Sequence, residues 1–255
     1  MKKYELTAEF IEKWGKKLFR IKALISFGSV EAGELGGYVE KEDNLAQDGD
    51  AWVCGNARVC GNARVYGDAE VCGNARVCGN ARVYGDAEVC GNAEVCGNAE
   101  VCGNARVYGN ARVYGDARVY GDAEVCGDAE VCGNAEVCGN ARVYGNARVY
   151  GNAEVCGNAR VYGDARVCDD ADYLLIGRIG SRFSFTTFFK NKDKGITVSC
   201  GCFLGTIAEF RAKVTDTHGN NKHAKMYNLA ADMAELQILG EEHFDKLNTN
   251  KSEPF

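Results

Sequence analysis

Residues 51–68 read AWVCGN, ARVCGN, ARVYGD, and the same six-letter frame continues without a slip to Val167. Each unit is Ala, then Arg or Glu, Val, Tyr or Cys, Gly, and Asn or Asp. Only the ends depart, with Trp52 in the charged slot and Asp169 in the glycine slot. A strand has period two, so Ala and Val of each unit point one way, and the charge and the Tyr or Cys point the other. Gly followed by Asn or Asp turns the corner, because these residues tolerate a positive φ. Strand and corner every six residues predict a coil of parallel strands with Ala and Val inside.

This pattern, an aliphatic residue with a small residue two places before it, resembles the left-handed parallel β-helix of hexapeptide-repeat proteins. The resemblance implies three six-residue units per turn. The expected fold class is therefore mainly β: a left-handed parallel β-helix over residues 51–172, an N-terminal β cap over 1–50, and a C-terminal α+β domain over 173–255. The tract would make nearly seven turns, roughly 32 Å long at about 4.8 Å per strand spacing.

The unusual composition follows from the repeat. The chain of 255 residues has 32 glycines, 14 cysteines and one proline, Pro254. Most glycines occupy the corner slot, Gly55 to Gly163, and most cysteines the slot after valine. Proline is excluded because strand N–H groups must donate to a neighbouring turn. The formal charge of −6 gives no basic footprint for nucleic acid or acidic membranes. No apolar run approaches the roughly 18 residues of a membrane span. The charged start, Met1 to Glu5, lacks a following apolar region, so no signal peptide and a cytoplasmic location are expected (host cytoplasm for a phage-encoded chain).

Stacking at three units per turn makes a sharper prediction. Glu88, Glu94 and Glu100 are followed one turn later by Arg106, Arg112 and Arg118, and these by Glu124, Glu130 and Glu136. A register-setting ladder Glu88, Arg106, Glu124, Arg142 should run down one face, with opposite charges in contact. A one-turn slip would bring like charges together. The cysteines stack as Cys54, Cys72, Cys90; as Cys60, Cys78, Cys96; and as Cys138, Cys156. Tyr and Cys share the slot, so free thiols are expected there, although the spacing suits a disulfide. No CxxC…CxxC zinc spacing occurs, so neither a metal nor a cofactor is predicted.

The resemblance also defines what this coil lacks. Many hexapeptide-repeat proteins are acyltransferases with a catalytic histidine and substrate loops, and the gamma-class carbonic anhydrase relative uses several coil histidines. The tract has no histidine, no inserted loop, and no threonine rows of the ice-binding kind. No catalytic residue is assigned.

Function is therefore sought at the ends. Leu18 to Leu24 reads as a strand paired through Trp14, Gly15 and Lys16 with the segment before it. The opening KKYELT … LFRIKAL … FGSVEAGELGGYVEKEDNL … GDAWV, residues 3–53, is similar to phage and prophage hexapeptide-repeat proteins of unassigned biochemistry. Beyond the coil, Tyr173–Ile176, Phe183–Phe189 and Ile196–Phe203 read as three strands. Thr206 with Glu209 forms a capping box opening a helix that Gly219 ends. Asn220 or Asn221 caps a second helix to about Leu239, with Tyr227, Ala230, Ala231, Ala234 and Ile238 as its packing face. This β-β-β-α-α unit should cap the coil and carry homo-oligomerisation, since all three coil faces are charged.

Its polar residues are the candidate site. Ser181, Arg182, Thr186, Thr187, His218 and Lys222 could bind a small anion such as a nucleotide. Cys200 with His218 could form a nucleophile–base pair. Each also has an ordinary structural reading: a turn with a surface Arg, Cys200 and Cys202 packed as small hydrophobes, His218 at a helix C-terminus, and His223 and His243 on the surface. The resulting expectation is a non-enzymatic phage-type binding protein that blocks or sequesters a host component, either an antiviral-defence protein or its nucleotide signal. The alternatives are a Cys/His hydrolase or transferase, and a structural virion or assembly component.

Overall fold

The computed structural model describes residues 1–241, and His243 lies outside them. The first elements are β1 (Tyr4–Lys13), β2 (Lys16–Ala23) and β3 (Leu35–Val39). The expected hairpin is present: β1 and β2 pair antiparallel around Trp14 and Gly15, both at positive φ. β3 then pairs parallel with the coil strand Arg58–Val59, so the hairpin extends one coil face.

The coil strands, β4 (Trp52–Val53) through β23 (Arg166–Val167), are two residues long and recur every six residues. They form three parallel sheets, and the face that starts at β4 counts seven strands, hence seven turns. Register is 18 residues per turn, as in Glu88 beside Arg106 and Val89 beside Val107. Every Ala and Val of the repeat is buried, so the interior is a continuous column of the two smallest aliphatic side chains. Through most of the coil the N–H groups of the charged residue, of the Tyr or Cys, and of the Asn or Asp donate to the next turn. Arg112, Tyr114 and Asp116 do so at 2.9, 2.9 and 2.8 Å. Corner glycines approach one another closely: Gly97 has φ +73°, and a Cβ there would lie 2.9 Å from the Gly115 carbonyl oxygen. Both facts exclude a side chain.

The corner amides add an order that the repeat alone hides. Asn80 donates its side-chain amide to Asn98 at 2.9 Å, and Asn98 to Asp116 at 2.8 Å. Asn92 donates to Asn110, and Asn110 to Asp128. An amide both donates and accepts, whereas a carboxylate only accepts. Asp therefore terminates an amide ladder at Asp116, Asp122, Asp128 and Asp164.

The C-terminal unit has four antiparallel strands rather than three. They are β24 (Tyr173–Ile179), β25 (Ser184–Lys190), β26 (Ile196–Cys200) and β27 (Phe203–Thr206). The run Ile196–Phe203 folds back at Gly201, φ +62°, and pairs Cys200 with Phe203. Continuous apolar character concealed that turn. Two helices follow, α1 (Ile207–His218) and α2 (Lys222–Leu239). Thr206 and Glu209 form the expected capping box, and the Asn221 side chain accepts from the His223 and Ala224 N–H groups. No helix among the described residues is long and apolar enough to cross a membrane.

β25 joins the two units. Its alternate residues face opposite sides. Phe188 enters the core formed with Val198, Phe210 and Ala231, while Phe189 enters the coil's own core. The sheet is thus sandwiched between the open end of the coil and the helices. Tyr162 stacks on Tyr144 at 4.4 Å, reaches Phe189 at 6.1 Å, and shares a 2.5 Å hydrogen bond with Ser199. The Lys190 ammonium donates to buried Asp172 at 2.6 Å.

Candidate functional site

The same alternation of β25 separates residues that the sequence places side by side. Thr186 faces the helices and donates its hydroxyl to the Cys200 sulfur at 3.2 Å. Thr187 faces the coil and accepts the Arg160 backbone N–H at 3.1 Å. Both are buried, so they do not form one threonine cradle with Ser181 and Arg182. Lys222 is exposed on the first turn of α2 and lines no cavity with them.

Ser181, Arg182, Cys200 and His218 do share a cleft, of about 230 Å³, closed by Phe203, Phe210 and Tyr227. The His218 ring stacks on Tyr227 at 5.8 Å. Gly180 is required beside it, since a Cβ there would collide with the Tyr227 hydroxyl. Burial, together with the neighbouring Cys200 thiol, pushes the Tyr227 phenol up to about 12. A nucleophile–base pair needs a hydrogen bond of about 2.6–3.2 Å. The structure gives Cys200 a hydrogen bond from Thr186 and none from His218.

A second groove, of about 320 Å³, lies where the coil meets its C-terminal cap. Asn140, Arg142, Asn158 and Arg160 line it from the coil, and Ser184, Phe185, Thr187 and Ser199 from the sheet. None of its lining residues is acidic. Arg142 and Arg160 are register partners one turn apart. Like charges directly opposite on neighbouring strands repel. Arg142 is partly compensated by Glu124 at 3.3 Å, whereas Arg160 has no carboxylate within 4.0 Å among the described residues. Two guanidinium groups, two amides, three hydroxyls and one aromatic ring thus border the same space. Of this set the sequence pointed to Thr187 as a ligand residue and to Arg142 as a ladder residue. The rest requires the fold, because residues 140–160 and 184–199 meet only when the cap closes the coil.

The register follows the spacing over Glu88, Arg106, Glu124 and Arg142, whereas Arg148 meets Arg166 and Glu136 meets Glu154 on the other faces. Arg106 reaches Glu88 at 3.5 Å and Arg142 reaches Glu124 at 3.3 Å. The parallel faces carry Arg82 with Glu100 at 2.6 Å and Arg148 with Glu130 at 3.3 Å. These are exposed pairs, worth about 0.5 kcal/mol each, and their role is register. The cysteine slot differs from expectation at one pair: Cys138 and Cys156 form a disulfide across a Cα–Cα distance of 4.6 Å. Direct stacking brings these two within bridging range. The other stacked cysteines are free.

At the opposite end, Lys3 was not legible as a functional residue. Its ammonium lies inside the N-terminal cap, where it donates to the carbonyls of Ala51 at 2.8 Å and Gly49 at 3.1 Å. Burial pushes its pKa down, and Asp48, Asp50 and Asp68 oppose that effect. Nearby, the Tyr4 hydroxyl donates to the carbonyls of Glu42 and Leu45, both at 2.8 Å.

The profile of the YdcK beta-solenoid repeat matches residues 57–73, 69–85, 75–91, 99–113, 111–127, 135–151, 141–157 and 153–169. All these matches fall within the coil, and neither cap is covered. No curated protein matches the chain. With seven stacked turns whose repeats match that profile, the chain is a repeat β-solenoid protein closed by a small antiparallel sheet and two helices.

Proposed function

We propose that the protein is a non-enzymatic binding protein that holds a small phosphate-bearing ligand, a nucleotide, in the groove between coil and cap. The observation that carries this reading is the Arg142–Arg160 register pair, facing a groove without a carboxylate lining. An anion between the two guanidinium groups relieves their repulsion and gains charge-assisted hydrogen bonds. Phe185 offers an aromatic face to a base, and Ser184 offers a hydroxyl to a sugar or phosphate. The similarity of residues 3–53 to phage and prophage hexapeptide-repeat proteins supports a host-directed role. In that role the protein sequesters a nucleotide signal of antiviral defence, or blocks the protein that uses it. Calorimetric titration with mono- and dinucleotides is expected to give saturable binding that Arg160→Ala weakens at least tenfold. No binding by any nucleotide, or equal affinity in Arg160→Ala, rejects the reading.

Self-assembly through the C-terminal unit has its own support. Met226, Leu229, Met233 and Leu236 are exposed on α2 while Ala230, Ala231 and Ala234 pack inward. Their spacing of three and four residues is that of a helix-pairing seam. A second copy of the same helix supplies a matching stripe, as a two-fold interface requires. Light scattering is expected to show an oligomer for the wild type and a monomer for Leu229→Glu/Met233→Glu. A monomeric wild type, or an oligomer that survives both substitutions, rules out this seam.

A further inference from the structure

The coil face that begins at Trp52 carries three stacked sulfurs, Cys54, Cys72 and Cys90, in successive turns. Beside them the charged slot holds Trp52, Glu70 and Glu88. This ladder therefore has carboxylates at two of its levels and an arginine at none of them. The Cys54 thiol donates to Glu70 at 3.4 Å. One donor atom each from Cys54, Glu70 and Cys72 lies within 4.8 Å of the others.

The neighbouring thiol ladder differs. Cys60, Cys78 and Cys96 run beside Arg58, Arg76 and Glu94. Arg76 stands next to Cys78, and its guanidinium stacks on Trp14 at 4.0 Å. A cation already occupies the surroundings of that ladder. A third cluster, Cys168, Asp169 and Asp172, is likewise served by the Lys190 ammonium.

We infer that Cys54, Glu70 and Cys72 form a binding site for a thiophilic divalent cation of the zinc class, with Cys90 as an additional sulfur donor one turn below. Thiolate and carboxylate are the donors such ions accept. A zinc–sulfur bond is about 2.3 Å, so tetrahedral coordination sets two sulfurs about 3.8 Å apart. Strands stacked at about 4.8 Å bring successive outward sulfurs into that range with small side-chain rotations. On binding, the two thiols release their protons to solvent and become thiolates. Two thiolates and one carboxylate then surround a doubly charged ion. The site is invisible to linear motif spacing because its donors come from successive turns.

The test uses the full chain under a reductant that does not bind metal, with cadmium ion as the probe. Thiolate-to-cadmium charge transfer in the ultraviolet reports sulfur coordination directly. The first equivalent of cadmium is expected to give this band in the wild type and in Cys60→Ser/Cys78→Ser/Cys96→Ser. It is expected to vanish in Cys54→Ser/Cys72→Ser, and Glu70→Gln is expected to weaken binding about tenfold. Zinc should compete the cadmium off. Because tyrosine fills the same outward slot elsewhere in the repeat, Cys54→Tyr/Cys72→Tyr provides a second variant compatible with the coil. Absence of the band in the wild type, or its persistence in either variant lacking Cys54 and Cys72, overturns the assignment.

Discussion

Replacing Val107 with aspartate is expected to divide the coil into two independently fraying halves. Val107 is fully buried and lies between Val89 above and Val125 below. The interior column holds only aliphatic side chains at this level, so an ionised carboxylate there would have no partner. Burying such a charge costs several kcal/mol, here roughly 5. In a solenoid each repeat contacts only its neighbours, so the damage remains local and interrupts cooperativity. Native-state trypsin digestion should cut Val107→Asp near Arg106 and Arg112, releasing two fragments, while the wild type resists. Tyr108→Cys, one residue away in the outward slot, should change stability by less than about 0.5 kcal/mol. A single cooperative urea transition of Val107→Asp at the wild-type midpoint would contradict this account.

Lys3→Met is expected to open the other end of the coil. The ammonium reaches three carbonyls, those of Asp48, Gly49 and Ala51, and lies over the Phe27 ring at 4.8 Å. Methionine matches its stem but donates nothing, so the carbonyls lose their charged donor. The expected loss is about 3 kcal/mol, the scale of a charge-assisted hydrogen bond removed from a buried site. Hydrogen exchange should accelerate through β3 and the first coil turn and remain unchanged in the C-terminal sheet. Equal protection in wild type and variant would show that Lys3 does not close this end.

The two variants probe different kinds of information. The site of Val107 was fixed by period alone, since its place in the unit sets its direction and its burial. The role of Lys3 was not, because nothing in Met1 to Glu5 marks a lysine that will turn inward 45 residues before its acceptors. The cap at the far end shows the same division. The Thr206–Glu209 box was readable and the second cap was narrowed to Asn220 or Asn221, both being local hydrogen bonds between near neighbours in the chain. The turn at Gly201 was hidden inside an apolar run. The packing face of α2 was readable, since Tyr227, Ala230, Ala231, Ala234 and Ile238 recur at helical spacing and all are buried. The structure buries the alanines and leaves Met226, Leu229, Met233 and Leu236 outside.

The site residues divide along the same line. Sequence placed Thr186 and Thr187 in one cradle, but adjacent strand residues point to opposite sides, and β25 has a different neighbour on each. Arg160 reads in sequence as one more ladder arginine. It becomes distinctive only because its register partner is Arg142 and the cap meets it there. Cys54, Glu70 and Cys72 have no motif spacing, yet they come together through the same 18-residue register that the repeat already implied.

By itself the sequence determined the coil's parallel strands, its aliphatic interior and its outward charges, while its turn of three units was what the resemblance to hexapeptide-repeat proteins implied. A six-residue period leaves each side chain one direction, so local geometry repeated many times suffices. Tertiary structure alone decided how the ends close and which side chains meet across them. Those contacts join segments far apart in the chain, and no period relates them.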